Sequence, residues 1–114
     1  GLEIIEMLEE NLERTFSPQP MMQMGGYVKR AIGLQVNMRI ENPKGHRIQE
    51  IYIGNKPLDK KKYYTTSFVT SQGVPEKFGR NRIDLPINAV SAIIEYLQIH
   101  PDFDGSDSAI FSLV

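Results

Sequence analysis

The chain is 114 residues long and 40% hydrophobic, which fits one globular domain and leaves no room for two cores. Thirteen basic residues against fourteen acidic ones leave a net charge of −1, so no long-range field draws nucleic acid or an anionic membrane to it. Cysteine is absent, which excludes a disulfide framework and a thiolate metal site, and the longest apolar stretches fall far short of the ~20 residues a membrane-spanning helix needs.

Residues 2–16 place Ile4, Ile5, Leu8, Leu12 and Phe16 at helical spacing, with Glu3, Glu6, Glu9, Glu10 and Glu13 on the opposite side; the pattern predicts an amphipathic helix. Ser17-Pro18-Gln19-Pro20 ends it, because proline lacks the donor and the residue before it avoids helical angles. No signal-peptide pattern opens the chain, and a start at Gly1, without an initiator methionine and at the edge of a helix, reads as a piece of a longer protein.

A methionine-rich loop and the Gly25-Gly26 turn come next. Leu34, Val36, Met38 and Ile40 then alternate with Gln35, Asn37, Arg39 and Glu41, predicting a strand with one buried face. Asn42-Pro43-Lys44-Gly45 is turn chemistry, and residues 47–53 return as a second strand of a hairpin. Gly54-Asn55-Lys56-Pro57 predicts another turn. Residues 63–69, rich in aromatic and β-branched side chains, predict a third strand.

Residues 70–86 predict a long loop carrying Gly73, Pro75, Gly79 and Pro86, of a length that often carries function. A second helix is expected to begin near 84–88 and to run to His100, burying Val90, Ile93, Ile94 and Leu97 and stopping before Pro101. Residues 109–114 predict a final strand. Strands grouped between two main helices define an α+β class with a mixed or largely antiparallel sheet.

The residues exclude much chemistry. His46 and His100 are the only histidines and stand far apart, so the dinuclear metal set of a metallohydrolase has no source here; His46 reads as a turn residue and His100 as a helix C-terminal cation. No Ser-His-Asp grouping, thiol or phosphate-cradling glycine loop is present. Asp59-Lys60-Lys61-Lys62 reads as a solvated charged turn. Met21, Met22 and Met24 offer an adaptable apolar surface, expected to pack against another domain or subunit.

Several strings in fixed order resemble the C-terminal domain of the 5′-nucleotidase family over nearly the whole chain. Residues 1–12 (GLEIIEMLEENL) look like its opening helix, Gly-x-x-Ile/Leu-x-x-x-Leu-Glu. Residues 43–48 look like its Pro-x-Gly-Ser-Arg-Val/Ile hairpin, with His46 in place of the serine. Asn55-Lys56-Pro57-Leu58-Asp59, followed by Tyr63, resembles its Asn-Gly-Lys-Pro-Leu-Asp…Tyr passage. Residues 21–34 (MMQMGGYVKRAIGL) resemble the Gln-x-Gly-Gly-x-x-x-Arg-x-x-Gly run of the Sox-type thiosulfohydrolases, the branch the chain looks most like. After the predicted third strand the chain departs from nucleotidases: in place of Gly-Gly-Asp-Gly-aromatic it keeps one glycine, Gly73, and a displaced ring, Phe78.

The resemblance implies a substrate-binding domain spanning residues 1–114, whose hydrolase parent holds two divalent metal ions in an N-terminal metallophosphoesterase domain outside this sequence. No cofactor is implied for the chain itself. Its partners would be that catalytic domain and a small-molecule substrate, a nucleotide or a related phosphate or sulfur ester, with no nucleic acid or membrane; an extracytoplasmic location is implied. Arg30 is the leading candidate ligand residue, its guanidinium fork suited to a phosphate or sulfonate, with Lys29 beside it. Tyr27 stands where nucleotidases carry a base-stacking ring, and otherwise anchors the turn. Gly73 and Phe78 mark the second candidate region, Phe78 either as a second ring or as a core plug for the loop. Against this stands a non-catalytic interaction module of the same fold, using Tyr27 and the methionine-rich loop.

Overall fold

The computed structural model describes residues 1–25, 28–106 and 110–114. Contacts cluster the chain into two units, Gly1–Thr65 with Asp107–Val114, and Thr66–Ser106.

In the first unit, α1 spans Leu2–Phe16, the predicted helix. Its first turn approaches the 59–62 turn: Leu2 N donates to the Lys60 carbonyl at 3.1 Å, and a Cβ at Gly1 would lie 2.0 Å from the Asp59 oxygen, which accounts for a glycine there. Leu8 packs with Val36 and Ile51 to form the core, flanked by Ile4, Ile5, Leu34 and Ile48; Val36 is 0% exposed. Burying such side chains stabilises by about 1.5–3 kcal/mol each.

β1 (Leu34–Met38), β2 (Ile48–Ile53), β3 (Lys56–Pro57) and β4 (Ile110–Leu113) form one mixed sheet in the order β3-β2-β1-β4. The first three are antiparallel neighbours and β4 runs parallel to β1, so the α+β class with two main helices and a mixed sheet holds. The first predicted strand stops at Met38 rather than at 41. A register shift between Asn37 and Met38 twists the ladder there, and the chain enters a turn in which Gly45 takes φ 79° and His46 N donates to the Pro43 carbonyl at 3.1 Å. Gly54 and Asn55 both take positive φ (56° and 63°), the two-residue turn that closes tight hairpins, so Lys56 and Pro57 pair with β2 instead of remaining in the turn.

The expected strand over 63–69 does not form. Leu58 N still donates to the Ile51 carbonyl, but the chain then turns at Asp59, whose carboxylate accepts from Lys61 N and whose own N–H donates to the Tyr64 hydroxyl. The sheet edges of β1 and β2 are already taken by β4 and β3. A β-prone composition only marks a chain that suits a half-buried pleated surface, and without a ladder partner it stays irregular.

The acidic side of α1 is not all solvated, as its pattern predicts. Arg47, 2% exposed, donates to Glu13 at 2.5 Å and to the Ile40 carbonyl at 3.1 Å, while the buried Glu9 carboxylate accepts from Ile48 N at 2.7 Å. Two helix carboxylates thus pin the hairpin where its turn meets β2. The other Glu9 oxygen is buried and has no hydrogen-bond partner among the described residues.

In the second unit, Arg82 organises the loop. Its guanidinium donates to the carbonyls of Val74 (2.9 Å), Pro75 (3.0 Å) and Phe78 (2.9 Å), and lies 4.7 Å over the Phe68 ring. α2 spans Ala89–Ile99, capped by the Asn88 side chain, which accepts from Ser91 N at 2.9 Å. The helix is where it was expected, but its apolar residues are not buried: Val90, Ile93, Ile94 and Leu97 are all exposed, Ile93 by 58%. Phe78 is the one buried hydrophobic side chain among the described residues of this unit. At its C-terminal end, Tyr96 packs against His100 and edge-on against Phe103.

Candidate substrate-binding edge

The loop between α1 and β1 is held to the helix by hydrogen bonds from three of its residues. Gln23 Nε2 donates to the Ser17 carbonyl at 2.7 Å, Met24 N to the Arg14 carbonyl at 3.2 Å, and Lys29 N to Asn11 Oδ1 at 2.8 Å. Proline and Ser17 end the helix, and the chain folds back along it through a short 3₁₀ turn at Pro20–Met22. The methionines stand out from this turn, Met21 93% exposed.

Arg30 follows the last of these anchors. It is exposed, and no hydrogen bond or ion pair engages it among the described residues. Lys29 is half-buried, and its ammonium is held below the ordinary lysine pKa, first by loss of water and then by the Arg14 guanidinium, with Glu10 opposing both. Glu10 and Arg14 form an ion pair at 3.4 Å along α1. Tyr27 and Gly26 of the glycine turn lie outside the described residues.

Gly73 and Phe78 belong to the second unit. Gly73 N donates to the Thr70 carbonyl at 2.8 Å, and a Cβ there would press on that oxygen at 3.1 Å and on Phe68 Cβ at 3.3 Å, so the glycine allows a tight turn. Phe78 is 9% exposed, with the Lys77 ammonium 5.1 Å from its ring centroid. Its placement matches the packing alternative raised for it. Phe68, within the segment expected as a third strand, is the ring that carries Arg82.

An open groove of about 650 Å³ lies at the C-terminal end of α1, walled by Phe16, Met22, Ile40 and Pro43 with Glu13 and Arg47 at its base. Among the described residues no cluster of three or more histidine, cysteine or carboxylate side chains is placed to hold a metal ion, and no helix is long and apolar enough to cross a membrane.

Sequence reasoning missed Arg14, Asn11 and Arg82. The first two read as ordinary surface positions of a helix, and no local signal marks Arg82. Arg47 did carry a signal, its place after the proline-glycine turn.

The first unit thus combines a helix with a loop clipped back along it and a hairpin pinned by buried charge. Residues 1–73 match the family model "5′-nucleotidase, C-terminal domain". The match covers more than half of the chain, and the chain belongs to that family, as the substrate-binding domain of a 5′-nucleotidase-type protein. The family implies a two-domain architecture with an N-terminal catalytic domain and small-molecule substrates. No curated protein matches the sequence.

Proposed function

We propose that this chain recognises substrate for a two-domain hydrolase acting on nucleotides or on a related phosphate or sulfur ester, with the 23–33 loop as its ligand-facing edge. The observation that carries the reading is the family match over residues 1–73, which takes in that whole loop. Arg30 stands exposed on it, directly after a backbone clip to Asn11 that fixes where the side chain starts. Two divalent metals held by the catalytic domain would activate water; this chain supplies binding energy and orientation, which speed reaction when the two domains close on the substrate. Tyr27 is assigned to stack on a base, and Gly73 and Phe78 shape the second loop. A sulfur oxyanion ester, the substrate class of the thiosulfohydrolase-like motif, uses Arg30 and leaves Tyr27 idle.

The test is kinetic, in the full-length protein. Arg30→Ala raises KM with a smaller loss in kcat, the pattern of a contact made in ground and transition states alike. Tyr27→Ala weakens turnover of a nucleotide and leaves that of a small sulfur oxyanion ester unchanged. Unchanged kinetics on both substrate classes in both variants overturns the assignment of the loop.

A second reading, an interaction module, draws on the exposure of Met21, Met22 and Met24. Binding of a protein partner that Met21→Ser abolishes, with no binding of AMP or thiosulfate, would favour it.

A further inference from the structure

We propose that the groove at the C-terminal end of α1 binds an uncharged peptide segment, which sets a backbone carbonyl on Arg47 and an apolar side chain among Phe16, Met22 and Ile40. All of the lining residues belong to the first unit, and none lies in the 23–33 loop, so the site is independent of the reading of that loop.

The argument starts from Arg47, which is buried yet lines the groove. A guanidinium has five N–H donors on three nitrogens. Nε donates to the Ile40 carbonyl at 3.1 Å and Nη1 to Glu13 at 2.5 Å, while Nη2 makes no hydrogen bond among the described residues. Nη2 is not sealed in the core either. The one fully enclosed side-chain nitrogen or oxygen without a partner among the described residues is Glu9 Oε2. The opening left to Nη2 is therefore the groove that Arg47 lines. A poorly hydrated donor left unmade is costly, and an acceptor brought in by a ligand meets it.

Charge and lining define that ligand. Glu13 already balances Arg47, and Glu41 and Lys44 also line the groove, so its ionic groups cancel. A ligand carboxylate at Arg47 would face the Glu13 carboxylate, whereas a neutral carbonyl takes the free N–H without adding charge. Phe16, Met22, Ile40 and Pro43 supply apolar walls around about 650 Å³, the size and lining of a ligand cleft. Met22 is the adaptable member of that wall. Gln19 and Asn42 also line the groove. The Gln19 side-chain amide and Asn42 Oδ1 make no hydrogen bond among the described residues, Asn42 Nδ2 being engaged with the His46 carbonyl at 2.9 Å. They add a further donor and acceptor. A peptide presents a carbonyl, an N–H and an apolar side chain at short, fixed spacing and complements all of these; a phosphate or a lipid tail does not.

The experiment is heteronuclear NMR titration of the 114-residue chain with the blocked peptide N-acetyl-alanyl-leucyl-alaninamide. Isopentyl alcohol, which has the leucine branch without a carbonyl, and N-acetylleucine, which carries a carboxylate, are titrated beside it. Saturable shifts are expected at the amides of Phe16, Met22, Ile40 and Lys44, with contacts from the leucine methyls to the Phe16 ring. Both comparison compounds should bind about tenfold more weakly or worse. Phe16→Ala and Arg47→Lys should each weaken the peptide about tenfold, the lysine keeping a cation for Glu13 but lacking a second terminal nitrogen, and Lys56→Gln should leave binding unchanged. Because Arg47→Lys also loosens the hairpin, the Arg47 Nη protons are followed in the unaltered chain, where the peptide carbonyl should move them downfield. Shifts that do not saturate at these residues overturn the proposal, as do Nη protons unmoved in the presence of bound peptide. Equal binding of isopentyl alcohol would make the groove a plain apolar trap, and tighter binding of N-acetylleucine an anion site; either result overturns it.

Discussion

Glu13 of α1 and Arg47 at the foot of β2, 34 residues apart in the chain, meet at 2.5 Å between carboxylate and guanidinium. With Glu9 accepting from Ile48 N, they make the acidic stripe of the helix a fastening for the hairpin. Arg47 also holds the Ile40 carbonyl, so one side chain joins the helix to both arms of the turn. Arg47→Ala is expected to cost about 3–5 kcal/mol, the penalty for breaking a buried pair, seen as a lower urea midpoint at unchanged slope. Arg47→Lys should recover only part of it, since an ammonium cannot present a planar fork to two acceptors.

The same pair sets an acid limit. The hydrogen bond from Arg47 is the main reason the Glu13 carboxyl titrates below its ordinary 4.5; loss of water opposes it and Ser17 adds to it. A carboxyl whose folded pKa lies below its unfolded one contributes fully above the unfolded value, and the contribution is lost as pH falls through the folded one. Stability should therefore drop progressively below about pH 5. In Glu13→Gln that portion of the slope should vanish; an identical pH profile in the variant would contradict the account.

Leu8 and Ile93 separate what helical periodicity shows from what it does not. Leu8 is 2% exposed against Val36 and Ile51, so Leu8→Ala should cost about 2–5 kcal/mol. Ile93 satisfies the same spacing rule but stands in solvent, and Ile93→Ala should stay within about 0.5 kcal/mol. Denaturant melts of the two variants side by side measure the difference.

Arg82 is expected to govern the order of its loop. Arg82→Ala removes the donors to Val74, Pro75 and Phe78 and uncovers the Phe68 ring. Limited trypsin digestion should then cut faster at Lys77 and Arg80, both exposed, while the protection of Arg14 in α1 stays as it was. Equal cleavage rates would mean that other contacts hold the loop.

What was legible in the sequence was local. The 3.6-residue period of residues 2–16 and the alternation from Leu34 to Met38 each state their own structure, and the glycine turns mark where the chain reverses. The strand expected at 63–69 failed because a strand needs a free neighbour, and sheet order is a relation between distant segments. Glu9 and Glu13 read as solvated because a carboxylate is charged; only the hairpin, folded alongside, reveals their partners. Arg30 was singled out by its glycine-flanked motif, and the structure leaves it exposed on the loop. The bond from Met24 N to the Arg14 carbonyl was not legible, since it depends on a loop folding back over a helix. Tyr27 lies outside the described residues, and its part rests on the motif alone.

β4 pairs in parallel with β1, Gln35 opposite Ile110, so the first unit is closed by a strand reached only after the chain has run through the whole of the second. Its completion has the character of a long ring closure. The entropy of such a closure grows only logarithmically, about 0.6 kcal/mol for each doubling of the intervening length. The sheet is thus nearly indifferent to how many residues the intervening segment holds, although its contact order makes the final pairing slow. The family match ends at Gly73, inside that segment. The topology gives the stretch beyond it freedom to be lengthened, shortened or recast without disturbing the scaffold that carries the 23–33 loop.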